Sequence, residues 1–189
     1  MPGHKTQQIR IIGGKWRGRK ICFPMLPEIR PTPDRVKETL FNWLAPHITG
    51  AYCLDLFTGS GALGFEALSR GANHVVMIDK SSVVIEHLRS IASILETNEI
   101  TLYQGKAPDG VTLPPRIFDI VFLDPPFQHN LVQPSCEWLE KQKLIDANSL
   151  IYIEVENNKT PLILPEHFKI LKQGKTSQVI YYLVSIISA

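Results

Sequence analysis

From Tyr52 onward the chain alternates short apolar runs with helically spaced segments, a rhythm that few folds satisfy. The runs predict strands at 53–57, 75–79, 100–104 and 118–123, with helices at 62–70, 82–97 and about 130–143 between or after them. Alternation of this kind requires right-handed crossovers and a parallel sheet. The run Phe118-Asp119-Ile120-Val121-Phe122-Leu123 is apolar after Asp119, as a central strand covered on both faces must be. Three further strands, at 150–155, 168–171 and 178–185, lie too close together for crossover helices. The last pair is therefore expected as an antiparallel hairpin at the sheet edge. The expected architecture is α/β: a doubly wound, Rossmann-like sheet that ends in a hairpin.

The first forty residues read differently. They carry nine Lys or Arg against three Asp or Glu, and the remainder carries eleven against fifteen, so a +6 head precedes a −4 body. A strand at 8–12, a break at Gly13-Gly14, the basic run Lys15-Trp16-Arg17-Gly18-Arg19-Lys20 and a second strand at 21–23 predict a basic hairpin. After Arg30-Pro31-Thr32-Pro33, Asp34 is the expected N-cap of a helix over 34–45 on which Val36, Leu40, Phe41 and Leu44 share a face. The division is thus a basic N-terminal extension, 1–33, and an α/β body, 34–189. A basic arm on an acidic body suits a polyanion held against a site made elsewhere, although it also suits a solvated tail.

At 189 residues the chain has room for one three-layered domain. Cys22, Cys53 and Cys136 form no CxxC pair, so reduced thiols are expected rather than a disulfide framework or a zinc site. The six histidines are scattered, and no metal is proposed. No apolar run approaches about 18 residues, and Met1-Pro2-Gly3-His4-Lys5 does not begin a secretory signal, so a cytosolic protein is expected.

Asp124-Pro125-Pro126-Phe127 follows the central strand directly. An exocyclic base amine is a poor nucleophile because its lone pair is delocalised into the ring, and an enzyme attacking through it must hold its hydrogens while the nitrogen rehybridises. Asp124 can accept one N–H, the Pro125 carbonyl another, and Phe127 can stack on the base. Two consecutive prolines fix φ and hold the acceptors in advance. The residues therefore point to methylation of a nitrogen on a planar base.

Asp55-Leu56-Phe57-Thr58-Gly59-Ser60-Gly61-Ala62-Leu63-Gly64 leaves one strand and opens a helix, and Asp79 stands twenty residues after Gly59. Read literally, this is GxGxxG with a distal acid, which fits a nicotinamide dinucleotide. Asp55 argues otherwise. A carboxylate at the mouth of the loop repels a pyrophosphate, but through the loop backbone or a water it can hold the ammonium of S-adenosylmethionine, which has no phosphate. Asp79 serves the ribose in either case. Both motifs end strands that should be neighbours at the topological switch point, so donor and acceptor sites would adjoin.

These residues resemble the RsmD-type bacterial methyltransferases, which modify the N2 amine of a guanine, position 966, in 16S ribosomal RNA. The likeness covers Arg10-Ile11-Ile12-Gly13-Gly14 with Arg17-Gly18, Arg30-Pro31-Thr32 with Asp34-Arg35-Val36, Glu38-Thr39-Leu40-Phe41-Asn42-Trp43-Leu44, the glycine loop, and Asp124 to Phe127. The head motifs discriminate; the other two occur across many amino-methyltransferases. The resemblance implies S-adenosylmethionine as cofactor, with Asp55, Gly59, Gly61, Leu63 and Asp79 lining its site; Phe57, Lys80, Lys106 and Ala107 are further candidates beside them. It implies that Asp124, Pro125, Pro126 and Phe127 receive the guanine, and that Arg10, Lys15, Arg17, Arg19, Arg30, Thr32 and Arg35 meet the RNA. The implied partner is 16S rRNA or a small-subunit assembly particle, with no membrane, met by a monomer. Lys106 departs from the family pattern, which has Asp or Asn there; a lysine side chain cannot accept the adenine amine hydrogen.

Plainer roles are read beside these. Phe57, Phe65 and Phe118 have core spacing, and Trp16 either stacks on a base or anchors the hairpin. His129 is read as a helix cap and Asp119 as structural. Glu156 is a candidate rim of the substrate cleft. Lys159, Lys169, Lys172 and Lys175 read as a solvated face. The competing functions are a DNA adenine-N6 methyltransferase, a nicotinamide-binding oxidoreductase, and a non-catalytic RNA-binding protein.

Overall fold

The computed structural model describes residues 6–24, 32–126, 130–157 and 161–187. Seven strands form the main sheet: β3 (Tyr52–Asp55), β4 (His74–Asp79), β5 (Ile100–Gln104), β6 (Ile120–Leu123), β7 (Leu150–Glu156), β8 (Phe168–Lys175) and β9 (Val179–Ile186), while β1 (Thr6–Arg10) and β2 (Lys20–Pro24) form a separate hairpin. The sheet order is β5-β4-β3-β6-β7-β9-β8. β3 pairs in parallel with both β4 and β6, and β9 runs antiparallel between β7 and β8. The chain moves outward from β3 to β5 and then returns to the far side of β3, which puts the switch point between β3 and β6.

Helices α1 (Asp34–Leu44), α2 (Ala62–Ser69) and α3 (Ser82–Ile94) cover one face together with the hairpin, and α4 (Val132–Lys141) lies on the other. The reason is periodicity. Val84, Ile85, Leu88, Ile91 and Ala92 make one buried stripe on α3, whereas all eight residues of α2 are buried because sheet and hairpin enclose it from both sides. Ser81 caps α3, its side chain accepting from the Val84 amide, and Glu96, at φ 51°, lies just past its end. That ends α3 at Ile94, short of the expected 97.

The Asp34 cap expected from sequence is not formed. Pro33 is the capping residue, and its carbonyl accepts from the Val36 and Lys37 amides. The Asp34 carboxylate is occupied elsewhere: one oxygen meets Arg10 at 2.9 Å and the other the Lys37 ammonium at 3.0 Å. Strand β8 runs four residues beyond its expected end, through Lys172, Gln173, Gly174 and Lys175. An edge strand has one free side and tolerates polar residues that hide it from a hydrophobicity pattern.

The basic hairpin is fastened to the body. Ile9, Ile11, Trp16, Ile21 and Phe23 join the core cluster of α1, α2 and α3, and Trp16 is 5% exposed. Its ring is an anchor, which decides between its two readings. The Trp16 amide donates to Ser69 Oγ at 2.9 Å, and that hydroxyl donates to the Gly13 carbonyl at 2.6 Å. Glu66, fully buried, accepts from the Ile12 amide through one oxygen and from Arg70 through the other. Lys37, 1% exposed, donates to the Arg10 carbonyl at 2.5 Å. Each is a buried polar group with a partner across the hairpin–body junction, so separating the two leaves buried hydrogen-bonding groups unsatisfied. Among the described residues no helix is long and apolar enough to cross a membrane.

Candidate active site

Two loops meet at the carboxyl ends of β3 and β6. The first is drawn into shape by Asp55, whose Oδ2 accepts from Thr58 Oγ1 at 2.9 Å and from the Gly64 amide at 3.2 Å. The turn closes through the Gly61 amide on the Thr58 carbonyl, and the Thr58 amide reaches across to Ile78 in β4. Gly61 has φ 76°, and a Cβ there would stand 2.6 Å from Leu88 and 2.8 Å from Phe65, so both conformation and space demand glycine. Asp55 is only 2% exposed. It lies beneath the loop and not at its mouth, and any effect on a ligand passes through the backbone it organises. Burial, with a contribution from Asp79, raises its carboxyl to about 7 against the pull of its two donors.

Asp79 ends β4 with its side chain half-buried, Oδ2 accepting from the Gly59 amide at 3.1 Å and Oδ1 from the Ser81 amide at 2.8 Å. Asp55 and Asp79 thus brace the glycine loop from two strands. Leu63 is buried in the core, Phe57 is half-buried against the opposite cluster, and Lys80 is exposed. At the end of β5 Lys106 is exposed while its carbonyl accepts from the Gly110 amide, and Ala107 is buried.

The second loop begins at Asp124, which keeps part of its surface open; Pro125 is buried and Pro126 exposed. Phe127 and His129 lie outside the described residues, as do Arg30 and Lys159. Leu56 donates to the Phe122 carbonyl, which ties the root of the first loop to the strand that carries the second. In register, Asp55 stands opposite Phe122 and Leu123 opposite Ile153, so Asp124 comes level with Glu154 of β7. Loss of hydration, then the charges of Glu154 and Asp55, hold the Asp124 carboxyl well above the ordinary carboxylate range. Glu154 is 4% exposed and accepts from the Tyr152 hydroxyl at 2.6 Å. Sequence reading singles out Glu156 on this strand and misses Glu154 as a buried acid beside Asp124. The signal is present in Tyr152 and Glu154, two residues apart and so on one face of the strand.

Asp119, at the opposite end of β6, accepts from the Tyr52 amide at 2.8 Å and is structural, as expected. Of the residues expected to meet RNA, Arg10, Lys15, Arg17, Arg19 and Arg35 are exposed. Arg10 shares its charge with Asp34, Arg19 reaches the Ile94 carbonyl at 3.3 Å, and Lys15 sits 4.6 Å above the Trp16 ring. Thr32 is 6% exposed and is therefore a packed residue and not a surface contact, which corrects its expected place with the exposed cations.

The geometry has close counterparts. The family model described as Conserved hypothetical protein 95 matches residues 9–185. Ribosomal RNA small subunit methyltransferase D of Haemophilus influenzae is 43% identical over 180 residues, 93% of each chain. The protein of the same name from Escherichia coli K12 is 40% identical over 183 residues, covering 96% of this chain and 92% of its own. The solved structure of yhhF from Escherichia coli superposes with a TM-score of 0.87 at 39% identity, over 97% of this chain and all of that one. Shared fold and shared sequence run the length of the chain, hairpin included, and the chain belongs to the RsmD family of methyltransferases.

Proposed function

We propose that this chain transfers the methyl group of S-adenosylmethionine to the N2 amine of a guanine, position 966 of 16S rRNA, in a small-subunit particle, acting as a cytosolic monomer. The observation that carries this reading is the meeting of the glycine loop with Asp124 at the β3–β6 switch point. The relatives named ribosomal RNA small subunit methyltransferase D support the RNA substrate. The adenine-N6 and nicotinamide readings gain no such support.

The glycine loop fits the proposed cofactor. Asp79 adds negative charge beside it and Asp55, raised to about 7, a partial charge beneath it, which favours a cation and disfavours a pyrophosphate. Gly59, Gly61 and the root of the loop at Phe57 would receive the amino-acid end, with Leu63 shaping the loop from below, and Asp79 with Lys80 the ribose. Lys106 and Ala107 would line the adenine through backbone groups, since the lysine head can only donate. When bound, the cofactor supplies an electrophilic methyl on a positively charged sulfur. Asp124 and the Pro125 carbonyl then hold the two hydrogens of the guanine amine, with Phe127 stacked on the base, so that the nitrogen lone pair faces that methyl. Much of the acceleration is positional. The target base leaves its stack to reach these groups.

The exposed cations of the hairpin and of α1, with Arg30 beside them in sequence, would hold the RNA backbone, and they give this reading its second test. The double variant Arg17→Gln, Arg19→Gln is expected to weaken binding to small-subunit RNA. It should also flatten the dependence of log affinity on log salt by roughly 1.5, because each phosphate contact contributes about 0.7–0.9 to that slope. Filter binding across a salt series measures it, and an unchanged slope contradicts the role of the hairpin. The reaction is tested by nucleoside analysis of rRNA incubated with labelled S-adenosylmethionine, where N2-methylguanosine is the expected product.

A further inference from the structure

We propose that Glu154 is a positioning residue for methyl transfer, paired with Asp124 across β6 and β7 and fixed by the Tyr152 hydroxyl, and that this pair receives the proton leaving the guanine amine. The inference rests on the guanine-N2 reading above and adds to it the destination of that proton.

Three observations support it. The parallel register brings Asp124 level with Glu154, and a buried glutamate beside an aspartate has no packing purpose that glutamine would not serve with less repulsion. Tyr152, fully buried between the Phe122 and Tyr181 rings at 6.5 and 6.3 Å, donates to Glu154 Oε2 and leaves that side chain little freedom. The titratable groups around the pair among the described residues are Asp55 and the buried Cys53 thiol on β3, Asp124 after β6, and Tyr181 on β9, which stands opposite Glu154; a cation on this side, Lys172 of β8, lies 6.0 Å from the Trp43 ring. The ring on the α1 side is Trp43, 5.5 Å from Tyr181. Like charges so placed cannot both ionise freely, and the pair retains a proton that a single exposed carboxylate would release.

The step balances as follows. The guanine N2 lone pair forms the new C–N bond as the sulfur–methyl bond breaks and its electron pair stays on sulfur. The positive charge now on N2 is discharged by passing one N2 proton to the Asp124 carboxylate. Glu154 shares that proton before it exits to solvent.

Glu154→Gln tests this. Removing the Glu154 charge lets Asp124 ionise at lower pH, which makes it a weaker proton acceptor. The rising limb of kcat against pH should therefore move to lower pH, and kcat at its plateau should fall about 10- to 100-fold, by the usual scale of general-base effects. KM for RNA and for S-adenosylmethionine should stay within about threefold, since ground-state binding is untouched. Tyr152→Phe should lower kcat in the same direction by less, and Glu154→Asp should restore part of the loss. Wild-type enzyme that labels guanine, beside a Glu154→Gln protein with an unmoved profile and unchanged kcat, overturns this inference alone. Wild-type enzyme that labels no guanine overturns the underlying reading and this inference with it.

Discussion

Asp124→Asn is expected to lower kcat by about 10²–10³-fold or more, the usual cost of removing one group aimed at the reacting centre, while S-adenosylmethionine still binds and the melting temperature holds or rises. The two halves of this result share one cause. Burial and the charges of Glu154 and Asp55 make an ionised Asp124 unfavourable. Its folded-state pKa lies above the unfolded value, so the fold loses stability as pH rises through that interval, and a neutral amide removes the loss. A carboxylate that the fold would be more stable without is what the proposed role toward a substrate requires. Calorimetric titration with S-adenosylmethionine, thermal unfolding at pH 7 and single-turnover transfer measure the three quantities. A fall in melting temperature together with loss of cofactor binding would make Asp124 a structural residue.

The second large effect is expected far from the chemistry, at Gly14→Ala. Gly14 has φ 73°, and a Cβ added there would lie 1.7 Å from the Ser69 carbonyl oxygen and 2.2 Å from its carbon. Both atoms are backbone at the end of α2, and neither can move without disturbing the helix. The hairpin must back away, and with it go the Trp16–Ser69 and Ile12–Glu66 hydrogen bonds and part of the burial of Trp16. Unpairing the Ile12 amide and Glu66 alone costs about 1–3 kcal/mol, and partial exposure of the indole adds to it. Gly18 supplies the control: its φ is 85°, but nothing lies within 4 Å of its added Cβ. Gly18→Ala should therefore cost only the left-handed backbone penalty, about 1–2 kcal/mol. Chemical unfolding followed by tryptophan fluorescence separates the two, and equal losses at both positions would show that the hairpin does not depend on this close approach.

How much of this was legible in the sequence follows from the range of each interaction. The strand and helix alternation is local, and it located every strand and helix of the body within a few residues. The meeting of the glycine loop with Asp124 followed from topology, since both motifs end strands that a doubly wound sheet makes neighbours. The buried polar groups were not legible. Glu66 reads as an ordinary helix glutamate until Ile12, 54 residues away, is known to donate to it. Lys37 lies beside a charged partner, Asp34, yet its burial follows from the hairpin above it. Glu154 needed the β6–β7 register before its neighbour could be named. In each case the sequence shows a charge, and only the packing shows that water is excluded from it. Asp34 makes the same point in reverse: local preference marked it as a cap, and Arg10, 24 residues away, claimed it together with Lys37 of its own helix.

In the proposed function the β3–β6 switch point joins a methyl donor to a guanine amine in ribosomal RNA. Wild-type protein is incubated with labelled S-adenosylmethionine and, in parallel, with small ribosomal subunits lacking the modification, naked 16S RNA and duplex DNA, and the nucleic acid is digested to nucleosides. The prediction is label in N2-methylguanosine from small-subunit RNA and none in DNA. Label in N6-methyladenosine, label in DNA, or no label in any substrate would contradict it.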